Sequence, residues 1–314
     1  MFETSFGIEI EFTGITRKEA AEAVAKVVDG RVLGSGGTME IIAADGRKWK
    51  LVYDSSIRAQ RKIGNRIAAV HNQDYQCELV SPILHYYRDI ATVQAIVRKL
   101  RKEGAFASDT AGIHVHLDGA QHTPKSLRNF INIVASKNDL LYNALQIKGE
   151  RQNYCKKMDS YLVERMNLAK PTTFEQIADI WYAGYHESRR NHYHDSRYHF
   201  LNLHSFFQGN NHTVELRGFN SELHAGKVRT WIVLALALNH QSLSLSHASY
   251  RKVQNDNPAF AMRTFLNRIG LIGEEYRSCR EHLCKHLDGN QAWRYGSING
   301  RSARLVEMEA NENA

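Results

Sequence analysis

The chain has 314 residues, 43% of them hydrophobic and 24% charged, with a formal net charge of +8. That is enough to bury the core of one large domain or two small ones, and it fits disorder, collagen-like repeats and coiled coils poorly. The positive balance favours acidic partners such as nucleotides, polyanions or carboxylates, while the lack of an aromatic-flanked basic motif argues against nucleic acid.

The four cysteines form no CxxC pair, so a disulfide scaffold is excluded and a reducing cytoplasm is the expected setting. The first residues show no basic region followed by an apolar stretch, and the longest apolar run, residues 231–238, is too short to cross a bilayer.

Along the chain, Phe6-Gly7-Ile8-Glu9-Ile10-Glu11-Phe12 alternates at period two and predicts a strand. Thr16 and Glu19 then form a capping box for a helix to about Val28, closed by Gly30. Strands are expected at 39–43, 48–54 and 76–81, the last ended by Pro82. Residues 87–103 carry Ile90, Val93, Val97 and Leu100 on one helical face, stopped by Gly104. Its basic end, Arg98-Lys99-Leu100-Arg101-Lys102, suits a solvated helix C-terminus.

Residues 112–118 predict another strand, and Thr123-Pro124 starts a long helix. A helical insertion is expected over about 123–187, with 173–185 one clear helix. Residues 198–206 and 213–219 read as a strand pair joined by Gly209-Asn210-Asn211. A buried helix over 225 to about 246 and two further helices ending near Leu287 follow. Trp181, Trp231 and Trp293 are expected to pack inside.

Strands and helices do not alternate strictly. The pattern therefore predicts an α+β fold with a mainly antiparallel sheet, as one domain over 1–288 with a polar tail at 289–314.

Three of the strands carry a polar pair at spacing two: Glu9/Glu11, His114/His116 and Glu215/Arg217. In a strand, residues i and i+2 share a face, so neighbouring strands would gather these side chains. Glu78 is a fourth acidic candidate on a strand. Adjacent carboxylates repel unless a cation lies between them, and magnesium or manganese fills that role while bridging to phosphates. An arginine adds a bidentate phosphate contact, and the combination suits phosphoryl transfer.

Taken singly, each pair also reads as a solvated strand face or a surface ion pair. The segment from His186 to Asp195, rich in His and Arg, reads either as a lid or as a mobile basic loop. The basic stretch Lys48, Lys50, Arg58, Arg61 and Lys62 fits an anionic substrate or a solvated surface.

Five segments in order carry a family resemblance. They are residues 6–12, Glu78-Leu79-Val80-Ser81-Pro82, residues 112–118, Arg197-Tyr198-His199-Phe200-Leu201-Asn202-Leu203 and Thr213-Val214-Glu215-Leu216-Arg217-Gly218-Phe219. From about residue 5 to 240 the chain resembles the amidoligases, a family of the carboxylate–amine ligase superfamily that includes glutamine synthetase and glutamate–cysteine ligase.

The resemblance implies a glutamine synthetase-like antiparallel sheet whose concave face holds ATP and two or three ions of magnesium or manganese. By position, Glu9, Glu11, Glu78, His114 and Glu215 would be metal ligands. His116 and Arg217 would contact phosphates, and Arg197 and Asn202 phosphate or substrate. Asp54 falls in a segment usually read Asp-Gly-Ser, with Ser55 in place of the glycine, and would lie near the acyl or amine substrate.

The implied reaction joins a carboxylate of a peptide, protein or amino acid to an amine through an acyl phosphate. Oligomers with shared sites occur among the relatives of glutamine synthetase. A metal-dependent hydrolase using the same Glu/His face without ATP is the competing reading.

Overall fold

A computed structural model describes residues 1–147, 149–208, 212–252 and 256–295. In chain order its elements are β1 (Phe6–Phe12), α1 (Arg17–Val27), β2 (Arg31–Leu33), β3 (Thr38–Ile42), β4 (Lys48–Tyr53), β5 (Gln60–Ile63), β6 (Arg66–Ala69), β7 (Cys77–Val80), α2 (Tyr86–Lys102) and β8 (Gly112–Asp118). There follow α3 (Pro124–Leu145), α4 (Arg151–Tyr154), α5 (Ser160–Ala169), α6 (Phe174–Trp181), β9 (Leu201–Asn202), α7 (His204–Gln208), β10 (Thr213–Asn220), α8 (Ala225–Ser244), α9 (Pro258–Arg268) and α10 (Arg277–Cys284).

Eight strands form one sheet in the order β2-β3-β4-β7-β1-β8-β10-β9, and every pairing is antiparallel. The architecture is thus α+β with a large antiparallel sheet, as the alternation predicted. β5 and β6 make a separate hairpin turned at Gly64, which takes φ +59°. This hairpin carries Arg61 and Lys62 of the basic stretch.

The sheet separates two chemistries. Ile8, Ile10 and Phe12 of β1, Ile113, Val115 and Leu117 of β8 and Leu51 of β4 are buried on one face. Helices cover that face: α1 lies against β3 and β4, α8 against β8 and α3 against β10, while α2 joins α1 to α8. The residues between them in sequence, Gly7, Glu9, Glu11, His114 and His116, are turned to the other face by the pleat. Charge thus gathers on the face that the helices leave open.

Several boundaries moved for local reasons. The Thr16 capping box forms, with Glu19 Oε2 accepting from Thr16 N at 2.7 Å and Thr16 Oγ1 from Glu19 N at 3.3 Å. Gly30 closes that helix through its N–H, which donates to the Ala25 carbonyl at 2.9 Å, and not by taking the left-handed turn itself. Asp29 takes the left-handed conformation (φ 47°), and Gly30 is needed because a Cβ there would sit 2.5 Å from the Ile42 carbonyl oxygen.

The expected strand over 198–206 shrinks to the two residues of β9, because the chain turns at His204 into α7. Asn202 Oδ1 caps that turn by accepting from His204 N at 2.7 Å. The expected connection Gly209-Asn210-Asn211 lies outside the described residues, as does the tail from residue 296. Trp181 and Trp231 are buried, but Trp293 is exposed and lies beyond α10, the last helix among the described residues.

Among the described residues no helix is long and apolar enough to cross a membrane.

Candidate active site

The strand register decides which polar side chains meet. Asn202 stands opposite Glu215, Glu215 opposite His116, and His116 opposite Gly7. One step along, His114 stands opposite Glu9 and Glu9 opposite Val80; one step further, Glu11 stands opposite Glu78. Five strands therefore contribute to one patch.

A β-bulge in β10 completes it. Leu216 pairs with Val115 and Phe219 with Ile113, so the β10 strand spends three residues where β8 spends two. The extra residue lets Glu215 and Arg217 both serve the patch while Phe219 returns to the core, stacked on Trp231 at 5.6 Å. Gly218 makes this possible, since a Cβ there would lie 1.8 Å from the Phe200 ring.

Arg151 braces the bulge from below. It is buried, its guanidinium donates to the carbonyls of Arg217 (2.8 Å) and Phe219 (3.3 Å), and it packs where a Cβ on Gly112 would otherwise stand. Nothing in the local sequence distinguishes Arg151 from any arginine in a helical stretch.

The patch lines a cavity of about 540 Å³. Glu9, Glu78, His114, His116, Glu215, Arg217, Asn202, Arg197 and Asp54 all face it. Of the residues expected at the site, only Glu11 lies beneath the lining: its Oε2 accepts from Gly112 N at 2.6 Å and its Oε1 is 3.4 Å from His114 Nε2. Ser55 keeps negative φ, so serine fits the loop without strain; Asp54 Oδ1 accepts from Ser56 N at 2.7 Å.

Opposite the acidic face stand Arg190, His192, Tyr193 and Arg197 from the His/Arg-rich segment, with His204, Ser205 and Gln208 of α7 beside them. Those α7 residues were missed because the stretch reads as strand.

Two groups of side chains place their ligand atoms within 4.8 Å of one another: Glu9, Glu78 and His114, and Glu9, His116 and Glu215. Glu9 is common to both. Glu9 Oε2 lies 2.9 Å from His114 Nδ1 and Oε1 lies 3.2 Å from His116 Nε2. The Nε2 atoms of both histidines are buried beside carboxylate oxygens, Glu9 Oε1 for His116 and Glu11 Oε1 for His114, yet neither is aligned for a hydrogen bond. Orphaned imidazole nitrogens among carboxylates are what a divalent cation would satisfy. His116, first read as a phosphate contact, therefore also has the geometry of a ligand.

The charges are strongly coupled. Burial would raise Glu9, but His116 and His114 hold it well below the usual carboxylate range. Burial likewise opposes ionisation of Glu215, yet Arg217, His116 and His114 hold it at about 2. His116 is disfavoured as a cation by burial but raised to about 9 by Glu9 and Glu215. Glu78 moves the other way: burial, with Glu9, Glu11 and Asp54 nearby, pushes it well above the usual range. Burial also raises Glu11, with His114 opposing. Such a cluster of perturbed groups in a cleft is a candidate functional site.

Arg217 Nη1 donates to Glu215 Oε1 at 2.5 Å, and Asn202 Nδ2 donates to the other oxygen at 2.6 Å. Glu215 is thereby fixed in direction, and the Tyr198 ring supports Arg217 at 6.0 Å.

A family model described as "Putative amidoligase enzyme" matches residues 3–239. No curated protein matches the chain.

Proposed function

The chain belongs to the amidoligase family, and from that premise we propose that it is an ATP-dependent ligase joining a carboxylate to an amine. The observation that carries the reading is charge of both signs in one cavity: two ligand groups sharing Glu9 on the sheet, with Arg217 bonded to Glu215 beside them and Arg190 and Arg197 lining the same cavity. A sheet with such a face fits a relationship to the glutamine synthetase catalytic fold.

In this reading Glu9, Glu78, His114, His116 and Glu215 hold magnesium or manganese, and Glu11 acts through His114 by fixing its ring. The ions, when bound, neutralise the nucleotide charge and orient the phosphates. Arg217, clamped to Glu215, presents its remaining N–H groups to the transferring phosphoryl group. Arg197 and Arg190 hold the anionic groups on the far wall.

The carboxylate oxygen attacks the γ-phosphorus and ADP leaves, which turns a poor leaving group, oxide, into phosphate. The amine then attacks the acyl carbon, phosphate departs and an amide forms. Asp54, which lines the cavity with its Oδ1 held by Ser56 N, accepts the proton from the amine. Asn202 positions Glu215 and caps the turn into α7. The carboxylate belongs to a peptide, protein or amino acid.

The test is ADP release by purified protein with ATP, Mg²⁺ or Mn²⁺ and a pool of carboxylates and amines, followed by mass spectrometry. The expected result is ADP release that requires metal and added amine, with a product heavier than the acid by the amine minus water. Metal-dependent cleavage of an amide without nucleotide would replace the ligase with a hydrolase on the same residues.

A further inference from the structure

The hairpin β5–β6 stands apart from the main sheet and presents a free strand edge. Its orientation follows from its anchor. Gln60 turns its backbone outward: its C=O accepts from Gly14 N at 3.0 Å, and its N–H donates to Thr13 Oγ1 at 2.9 Å. In an antiparallel pair such outward residues alternate with residues bonded to the partner strand. Gln60 stands opposite Ala69 and Lys62 opposite Ile67, so Ile67 and Ala69 direct their N–H and C=O groups away from β5. The bond from Val70 N to Ala59 O at 3.0 Å fits the same alternation. Among the described residues no strand pairs with that side of β6, and Ile67 and Ala69 are exposed.

The side chains around this edge are apolar or cationic. Arg61, Lys62 and Arg66 are exposed, and the hairpin carries no acidic residue. Among the described residues none of these three cations is paired with a carboxylate, whereas Arg58, just before the hairpin, is committed to Asp109 (2.9 Å) and Glu150 (2.7 Å). Ile63 and Ile67 are 54% and 55% exposed, so neither serves the core. Charges on an edge strand commonly block pairing with other chains. Here they have one sign, so they repel a second copy of this basic chain and attract an acidic strand.

The edge is also within reach of the active site. Ser55 lines the cavity and Gln60 opens β5 five residues on, a span of at most about 18 Å. Ala69 lies opposite Gln60, at that end of the hairpin. We propose that β6 docks an acidic, extended peptide, which adds as a third strand and carries its reactive group into the cavity. This rests on the ligase reading above and narrows its substrate to a peptide or protein with an acidic, strand-forming segment. In such a pairing the residue beside Arg66 is an acid and the next, beside Ile67, is apolar, because successive residues alternate faces. Backbone bonds supply the affinity and this alternation the selectivity.

The experiment measures, by fluorescence anisotropy, the binding of a labelled peptide that alternates glutamate and valine. A lysine–valine peptide and an N-methylated form of the glutamate–valine peptide are the controls. Ile67→Pro removes an outward N–H on an edge strand, where proline is tolerated, and Arg66→Glu reverses one charge. The wild type is expected to bind the glutamate–valine peptide, less tightly as salt rises, and neither control. A roughly tenfold loss is expected in Ile67→Pro and a roughly fivefold loss in Arg66→Glu.

A cooperative thermal transition shows that each variant is folded. The N-methylated peptide, which lacks backbone donors and leaves the protein unchanged, decides the matter if Ile67→Pro does not fold. No binding of the glutamate–valine peptide by the wild type, or equal binding of its N-methylated form, overturns the docking edge and leaves the ligase reading intact. Undiminished binding by folded Ile67→Pro does the same, and equal binding of the lysine–valine peptide overturns the acidic partner. Peptide binding by a wild type that releases no ADP with any carboxylate and amine keeps the edge and overturns the ligase reading.

Discussion

Glu9 is the residue on which both ligand groups depend, since each of its oxygens faces a different histidine. Its loss should therefore remove more than one ion. Glu9→Gln keeps the volume and the strand but gives up the charge. The expectation is that Mn²⁺ raises the melting temperature of the wild type, as a ligand of the folded state alone does, and produces no such rise in the variant. Thermal unfolding with and without Mn²⁺ measures this, and an undiminished shift would mean that Glu9 is not a ligand.

At this scale the sequence was informative where chemistry and strand period coincide. The pairs Glu9/Glu11, His114/His116 and Glu215/Arg217 could be assigned a common face, and all but Glu11 line the cavity. The sequence did not reveal depth. Glu11 shares the face of Glu9, yet it sits under Gly112 with one oxygen committed to a backbone N–H. It also did not reveal Arg151, whose partners are carbonyls made available by a bulge.

At the scale of elements, the bulge in β10 is the device that the period-two pattern cannot express. Strict alternation would put Glu215, Arg217 and Phe219 on one face. The inserted residue sends Phe219 to Trp231 instead, and the close approach of Phe200 to Gly218 leaves no space for a side chain. Gly218→Ala should cost roughly 3 kcal/mol, at the upper end of overpacking penalties, because the Phe200 ring has to move. Urea unfolding measures the loss; a change within about 0.5 kcal/mol, the range of neutral surface substitutions, would mean that the ring yields freely.

α7 teaches a related lesson. Its sequence, His204-Ser205-Phe206-Phe207-Gln208, has the aromatic content of a strand, but the cap from Asn202 turns it into a helix.

For the whole molecule, the helical layer is tied to the sheet by buried charge as well as by apolar packing. Asp89 of α2 is almost fully buried and bonds Arg47 beyond β3 (2.9 Å), Arg88 and the N–H of His85 (2.7 Å). Burial would raise its carboxyl, but these partners outweigh burial and hold it at about 2. A depressed carboxylate contributes stability above its unfolded value, near 4, and loses it as pH falls through the folded value. Wild type should therefore exceed Asp89→Asn by about 2 kcal/mol at pH 7, with the gap closing between about pH 4 and pH 2. Urea unfolding at several pH values checks this; a gap that persists at pH 2 would place the contribution in packing.

The layered arrangement itself was legible, because apolar and acidic residues alternate so cleanly in β1 and β8. The sheet order was not, since nothing local says that β7 rather than β2 lies beside β1.

That order has a consequence in time. β1 lies near the middle of the sheet, yet Glu9 meets His114 only after 105 further residues have been made. At ~5–20 residues per second the strand waits about 5–20 s for its neighbour. β7, made earlier, can pair with one edge of β1, but until β8 arrives the other edge, carrying Phe6, Ile8 and Ile10, has no partner strand. Glu9 and Glu11, placed among them, keep that edge from pairing with other chains in the same way that gatekeeper charges protect exposed strands. The carboxylates that later crowd one another in the cavity thus also protect the nascent strand while it waits.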